Sequence, residues 1–147
     1  HFSWHVASFY PDENRLNRLL DEISLKIKPF TVRTAGIGIF FQPRLVVYLP
    51  VVKTSTLIKV HEMLWEQLSD LAEEPLAYYA PEFWIPHITL VYEELTSPRL
   101  SCALARLAER PLDWEIQVNN LALIGQSGNE PGGICLQHTL RGEPDEI

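Results

Sequence analysis

Cysteine is nearly missing from this 147-residue chain: Cys102 and Cys135 are the whole supply. They lack the close spacing of a metal site, and their flanks do not suggest a disulfide framework, so they read as ordinary thiols of a reducing compartment. Basic residues are scarce as well. Twelve Lys and Arg stand against 19 Asp and Glu, a formal net charge of −7, with no basic run or stripe. Nothing therefore announces a long electrostatic track for duplex DNA or RNA, although a small anionic ligand needs only one local cluster of donors. No apolar run reaches the roughly 18–20 residues that span a bilayer, and no signal peptide opens the chain, so a cytoplasmic protein with no membrane partner is expected. An initiator Met is also lacking, and the chain starts inside a motif, so residues upstream of His1 are expected.

What is present is 46% hydrophobic, enough for one sizeable core. The informative stretch is Trp84-Ile85-Pro86-His87-Ile88-Thr89-Leu90-Val91-Tyr92. Side chains alternate along an extended chain, so His87 and Thr89 project together while Ile88, Leu90 and Tyr92 point the other way. Pro86 donates no hydrogen bond and biases Ile85 toward extended geometry, as suits a strand start. The chain opens on a second copy, His1-Phe2-Ser3-Trp4, again with an imidazole and a hydroxyl two residues apart between apolar neighbours.

The elements around the two copies also repeat. His1 to Tyr10 alternates as a strand. Asp12 is a candidate cap for a helix whose stripe of Leu16, Leu19, Leu20, Ile23 and Ile27 ends at Pro29. Phe30 to Phe41 and Leu45 to Val52 read as two strands of a hairpin through Gln42-Pro43-Arg44, with Gly36 and Gly38 marking a bulge or a close backbone approach. A helix over about 54–73 carries Leu57, Val60, Leu64, Leu68 and Leu71. A loop rich in proline and aromatics then leads into the His87 strand. Ser97-Pro98 caps a third helix to about Arg110. Trp114, Ile116 and Val118 form a strand that changes phase at Asn119-Asn120. Ser127 to Gly133 is a turn cluster, Ile134 to Leu140 the last strand, and an acidic tail follows Gly142. The expected fold is α+β and bilobal: two pseudosymmetric βαββ units, about 1–52 and 84–141, with antiparallel sheets facing a central cleft and helices outside.

Such a cleft would receive a histidine and a hydroxyl from each side. Paired imidazoles divide acid and base work, as phosphodiester cleavage requires, because the attacking water and the departing alkoxide lie on opposite sides of phosphorus. Ser3 and Thr89 are uncharged donors suited to the non-bridging oxygens. The arrangement requires no metal or cofactor, and the His, Asp and Glu spacing offers no metal cage.

The doubled His-x-Ser/Thr pattern inside βαββ units resembles the 2H phosphoesterase superfamily, which includes cyclic nucleotide phosphodiesterases and the so-called 2′-5′ RNA ligases. His87 and Thr89, with the preceding Pro86, match the second motif. His1 and Ser3 match the first, with Ser for the commoner Thr and Trp4 for the commoner Leu. The resemblance implies a twofold pseudosymmetric, bilobal fold and metal-independent action on 2′,3′-cyclic phosphates or 2′-5′ linkages. On this reading His1 and His87 are catalytic, Ser3 and Thr89 bind phosphate, and either assignment of acid and base fits. Members usually carry a further strand and helix before the first motif. A monomer acting on a small nucleotide or an RNA end is expected. The rival readings are a module that captures such ends without turnover and an RNA ligase running the chemistry in reverse.

The remaining candidates are read more plainly. His5-Val6-Ala7 also aligns with the second motif but puts Ala7 where a hydroxyl is needed, so His5 is expected to line the same cleft and contact phosphate or ribose. Tyr78 and Tyr79, with Phe83 and Trp84, are either a stacking surface for a base or a loop packing its own aromatics. Trp4 and Tyr92 belong to the core. His61 reads as a boundary residue beside a helical stripe, and His138 as a satisfied core or cleft-edge histidine.

Overall fold

The computed structural model describes all residues except 42–43, 93–95, 126–131 and 144–147. The hairpin connection at Gln42-Pro43, most of the turn cluster and the end of the acidic tail thus lie outside the described residues, as does the side chain of Tyr92. In chain order the elements are β1 (Ala7–Phe9), α1 (Glu13–Lys26), β2 (Phe30–Arg33), β3 (Gly38–Phe40), β4 (Val46–Pro50), α2 (Ser55–Ser69), β5 (Glu73–Pro75), a single 3-10 turn (Ala77–Tyr79), β6 (His87–Tyr92), α3 (Ser97–Ala108), β7 (Glu115–Val118), β8 (Asn120–Gly125) and β9 (Gly133–Thr139). Mixed helices and antiparallel strands make this an α+β fold.

The helices start where their caps direct. Asp12 Oδ1 accepts the Arg15 amide at 2.9 Å and Thr54 Oγ1 accepts the Leu57 amide at 3.2 Å, satisfying amides that a helix leaves unpaired in its first turn. For α3 the cap position falls on Thr96 rather than Ser97. The stripe of α1 buries Leu16, Leu20 and Ile23, and α2 buries Leu57, Val60, Leu64 and Leu68; these join Val32, Val51, Val118 and Leu121 from the strands in one core. Burying aliphatic side chains of this kind stabilises the fold by about 1.5–3 kcal/mol each.

Three strand expectations are corrected. The first strand is confined to Ala7–Phe9, which pairs with Glu73–Pro75, so residues 1–6 are not in a regular strand. That pairing also shortens α2 and turns part of the expected loop into β5. The run from Phe30 to Phe41 is two strands rather than one. It breaks where the Thr34 hydroxyl donates to the Leu112 carbonyl and accepts the Trp114 amide, and where Gly36 adopts φ +72°, a conformation glycine takes without steric cost. Finally, sheet pairing crosses between the halves of the chain. β2 pairs with β7 and β4 pairs with β6, while β3–β4 and β8–β9 are pairs from within one half. The phase change at Asn119 separates β7 from β8, as the alternation predicted.

Candidate active site

The second motif is built on β6. Its register on β4 places Pro50 opposite His87, Leu49 opposite Ile88 and Tyr48 opposite Thr89. Alternation then sends Ile88 and Leu49 to the core while His87, Thr89 and Tyr48 share the other face. On that face Phe40 and Tyr48 stack at 4.2 Å, and the His87 ring stands edge-on to both, each centroid 5.2 Å away. Gly38 makes this possible: a Cβ there would fall inside the Tyr48 ring. Burial pushes the Tyr48 phenol above its ordinary pKa, keeping it neutral.

His87 Nδ1 lies 2.7 Å from the Ile85 carbonyl oxygen. A carbonyl only accepts, so Nδ1 carries the proton, and in the neutral ring Nε2 holds the lone pair. The ring is half-buried and Thr89 is exposed beside it.

The first motif is held by different means. Trp84 Nε1–H donates to the Ser3 carbonyl at 3.1 Å, and the Ser3 side chain neighbours the Tyr79 phenol, offsetting part of the rise that burial gives its pKa. Phe2 and Trp4 pack against the core, Trp4 stacking on Trp84 at 5.6 Å. His61, read from the sequence as a boundary residue, is instead fully buried at 1% exposure. Its ring lies parallel to Trp84 at 3.7 Å and its Nε2–H donates to the Tyr79 carbonyl at 3.0 Å, with the Trp4 backbone also near it. Burial lowers its pKa; the two backbone contacts oppose that, and nearby Lys53 adds to it.

A cavity of about 500 Å³ opens beside this segment, bordered by His1, Ser3 and His5 and, across from them, by Ile88 and the 116–124 stretch of β7 and β8. The four polar groups of the two motifs therefore do not all line one cavity. His1 and Ser3 border it, whereas His87 and Thr89 occupy the opposite face of β6 from Ile88. Trp84 and Tyr79, both just upstream of the second motif, connect the two segments.

His5 borders the cavity with both ring nitrogens engaged, Nδ1 at 2.7 Å from Tyr10 Oη and Nε2 at 3.3 Å from Ser69 Oγ. Burial, with a smaller contribution from His61, lowers its pKa to about 4, and burial raises Tyr10 to about 12. Tyr78 projects into solvent, 76% exposed, while Tyr79 turns inward to Ser3, so the two part company. His138 sits at 2.9 Å from Asn17 Oδ1 and 3.4 Å from Asp21 Oδ1, tying β9 to α1 away from either motif. Phe40, Tyr48 and Gly38 were not singled out together from the sequence. Alternation along β3 and β4 was the available signal, but only the pairing shows which face meets His87.

Among the described residues no three His, Cys, Asp or Glu side chains cluster as a metal site, and no helix is long and apolar enough to cross a membrane. Cys102 and Cys135 are both free and exposed. A search of curated proteins finds no match. Among solved structures the chain is similar in fold to TT0787 of Thermus thermophilus, with a TM-score of 0.66 and 22% identity over 97% of this chain and 79% of that one. Residues 1–130, which include both His-x-Ser/Thr motifs, match the model of the 2′-5′ RNA ligase superfamily. The chain belongs to the 2′-5′ RNA ligase superfamily.

Proposed function

We propose that the protein is a metal-independent phosphoesterase that opens 2′,3′-cyclic phosphates of nucleotides or RNA ends. The observation that carries this reading is the second motif's geometry: a half-buried imidazole with its Nδ1 proton committed to the Ile85 carbonyl, and a hydroxyl two residues on along the same face. Such a ring is oriented to take a proton at Nε2. In the proposed reaction His87 removes a proton from water as its oxygen bonds to phosphorus. The bond from phosphorus to one ribose oxygen breaks, and His1 delivers a proton to that oxygen. Thr89 and Ser3 donate to the non-bridging oxygens as negative charge accumulates there. Ligation would put the 5′-hydroxyl of a second end in the place of water: His87 takes its proton as its oxygen bonds to phosphorus, and His1 protonates the ribose oxygen that leaves.

This reading needs both motif segments at one phosphorus atom, with the halves, about 1–52 and 84–141, as pseudosymmetric lobes around it. Supporting it are the family, whose model spans both motifs, and the hydrogen bond from the Trp84 indole to the Ser3 carbonyl, which ties the first motif to the approach to the second. The decisive experiment incubates the protein with the four nucleoside 2′,3′-cyclic monophosphates and reads the products by phosphorus NMR. Formation of a single phosphomonoester, undiminished by chelator, is expected. Tight calorimetric binding with no product would replace the enzyme with a module that only captures such ends.

A further inference from the structure

We propose that Trp84, backed by His61, is a positioning residue that sets the spacing between the two motif segments and so aligns His1 with His87; this rests on the reading of the site above. The need for such a device follows from the backbone. Sheet register fixes the second motif, because β6 is paired to β4 through His87 itself and the Val51 amide donates to the Pro86 carbonyl at 2.9 Å. The first motif has no such register. Residues 1–5 precede the first strand-like contact, the Leu76 amide on the Val6 carbonyl at 2.8 Å, and lie outside every strand.

What holds them comes from the approach to the second motif. Trp84 stands three residues before His87, is 2% exposed, and aims its indole N–H out of its own segment at the Ser3 carbonyl. The Tyr79 phenol neighbours the Ser3 side chain. His61, from the middle of α2, supports this junction from a rigid helix, donating to the Tyr79 carbonyl and stacking on the Trp84 ring, on which Trp4 also stacks at 5.6 Å. A buried indole N–H must find an acceptor, and here the acceptor belongs to the first motif and not to the indole's own segment. Here the indole donor and the stack of Trp4 on Trp84 run between the first motif and the approach to the second, and His61 supports that approach from α2. Placement errors of about 1 Å at reacting groups cost up to a hundredfold in rate, so a spacer of this kind has a catalytic consequence without touching substrate.

Trp84→Phe keeps an aromatic ring in the stack and deletes the indole N–H. On a 2′,3′-cyclic nucleotide it is expected to lower kcat about ten- to a hundredfold with KM within twofold of wild type. A purely structural role would reduce the folded fraction and leave kcat per folded molecule unchanged. A variant with native circular dichroism that keeps wild-type kcat within twofold overturns the proposal. Should Trp84→Phe fail to fold, Tyr79→Phe deletes the phenol oxygen that neighbours the Ser3 side chain and is read the same way. A readout independent of turnover separates this proposal from the reading of the site. In imidazole ¹H–¹⁵N spectra of the ligand-free protein, the His1 signals are expected to move in the variant while those of His138 stay. Unmoved His1 signals overturn the spacer even if the enzyme is active. Absence of turnover in the wild type overturns the phosphoesterase and leaves the spectra to judge the spacer.

Discussion

Single residues divide the histidines into those fit for proton transfer and those built into the frame. His87 is oriented by one carbonyl and its Nε2 has no hydrogen-bond partner among the described residues, so His87→Ala is expected to lose about 10²–10⁴-fold in kcat on a cyclic phosphate, with little effect on the melting temperature. Full activity in that variant would dismiss the assignment. His5 is the opposite case, with both nitrogens on hydroxyls and its pKa held near 4 by burial and by His61. The unfolded chain takes up a proton on His5 near pH 6.5, whereas the folded protein refuses it until about pH 4. Stability from this group is therefore complete above pH 6.5 and declines as pH falls through that window. Allowing for its partial exposure, the decline is about 1–2 kcal/mol. Urea titrations at pH 7.0 and 4.5 are expected to show it, and to show less of it in His5→Gln, which hydrogen-bonds but does not titrate. His61, also lowered, adds in the same direction. None of this separation was legible in the sequence, where His5 and His61 are simply an alternating-face residue and a stripe-edge residue.

Elements explain why an open aromatic face surrounds His87. β3 and β4 carry Phe40 and Tyr48 to it, and Gly38 leaves the space that the Tyr48 ring fills. Gly38→Ala must displace that ring from its stack on Phe40 and its edge contact with His87. The expected result is a loss of about 1–3 kcal/mol by denaturant titration, with a change in the fluorescence or NMR environment of Tyr48. A variant with unaltered Tyr48 signals would show that the strand gives way instead. The sequence flagged Gly38 as a close approach without naming the approaching group, since strand register is a long-range property. Helix positions were far more legible. Asp12 and Thr54, with the apolar spacing behind them, act within a turn or two of the chain and need no tertiary information.

At the scale of the whole molecule, the pairings of β2 with β7 and β4 with β6 stitch the halves together. Arg141 and Gly142 add a further closure, their amides donating to the Ser24 and Ile27 carbonyls at 2.8 and 3.0 Å, so the last strand also seals the end of α1. Neither half retains its sheet edges covered without the other. Unfolding is therefore expected as one transition, coincident by far-UV circular dichroism and tryptophan fluorescence. Two separated transitions would mean that the halves are independent units.

The three helices and their buried stripes, the two His-x-Ser/Thr motifs and the family they point to were determined by the sequence alone. Each is a matter of side-chain chemistry at short spacing, where period and cap residues act locally. The tertiary structure decided that the first motif lies outside any strand, that His61 is buried and that Trp84 reaches Ser3. It also put His87 on the aromatic face rather than in the cavity that His1 borders. Those outcomes depend on partners distant in the chain, whose packing and hydrogen bonds outweigh the alternation visible in a few consecutive residues.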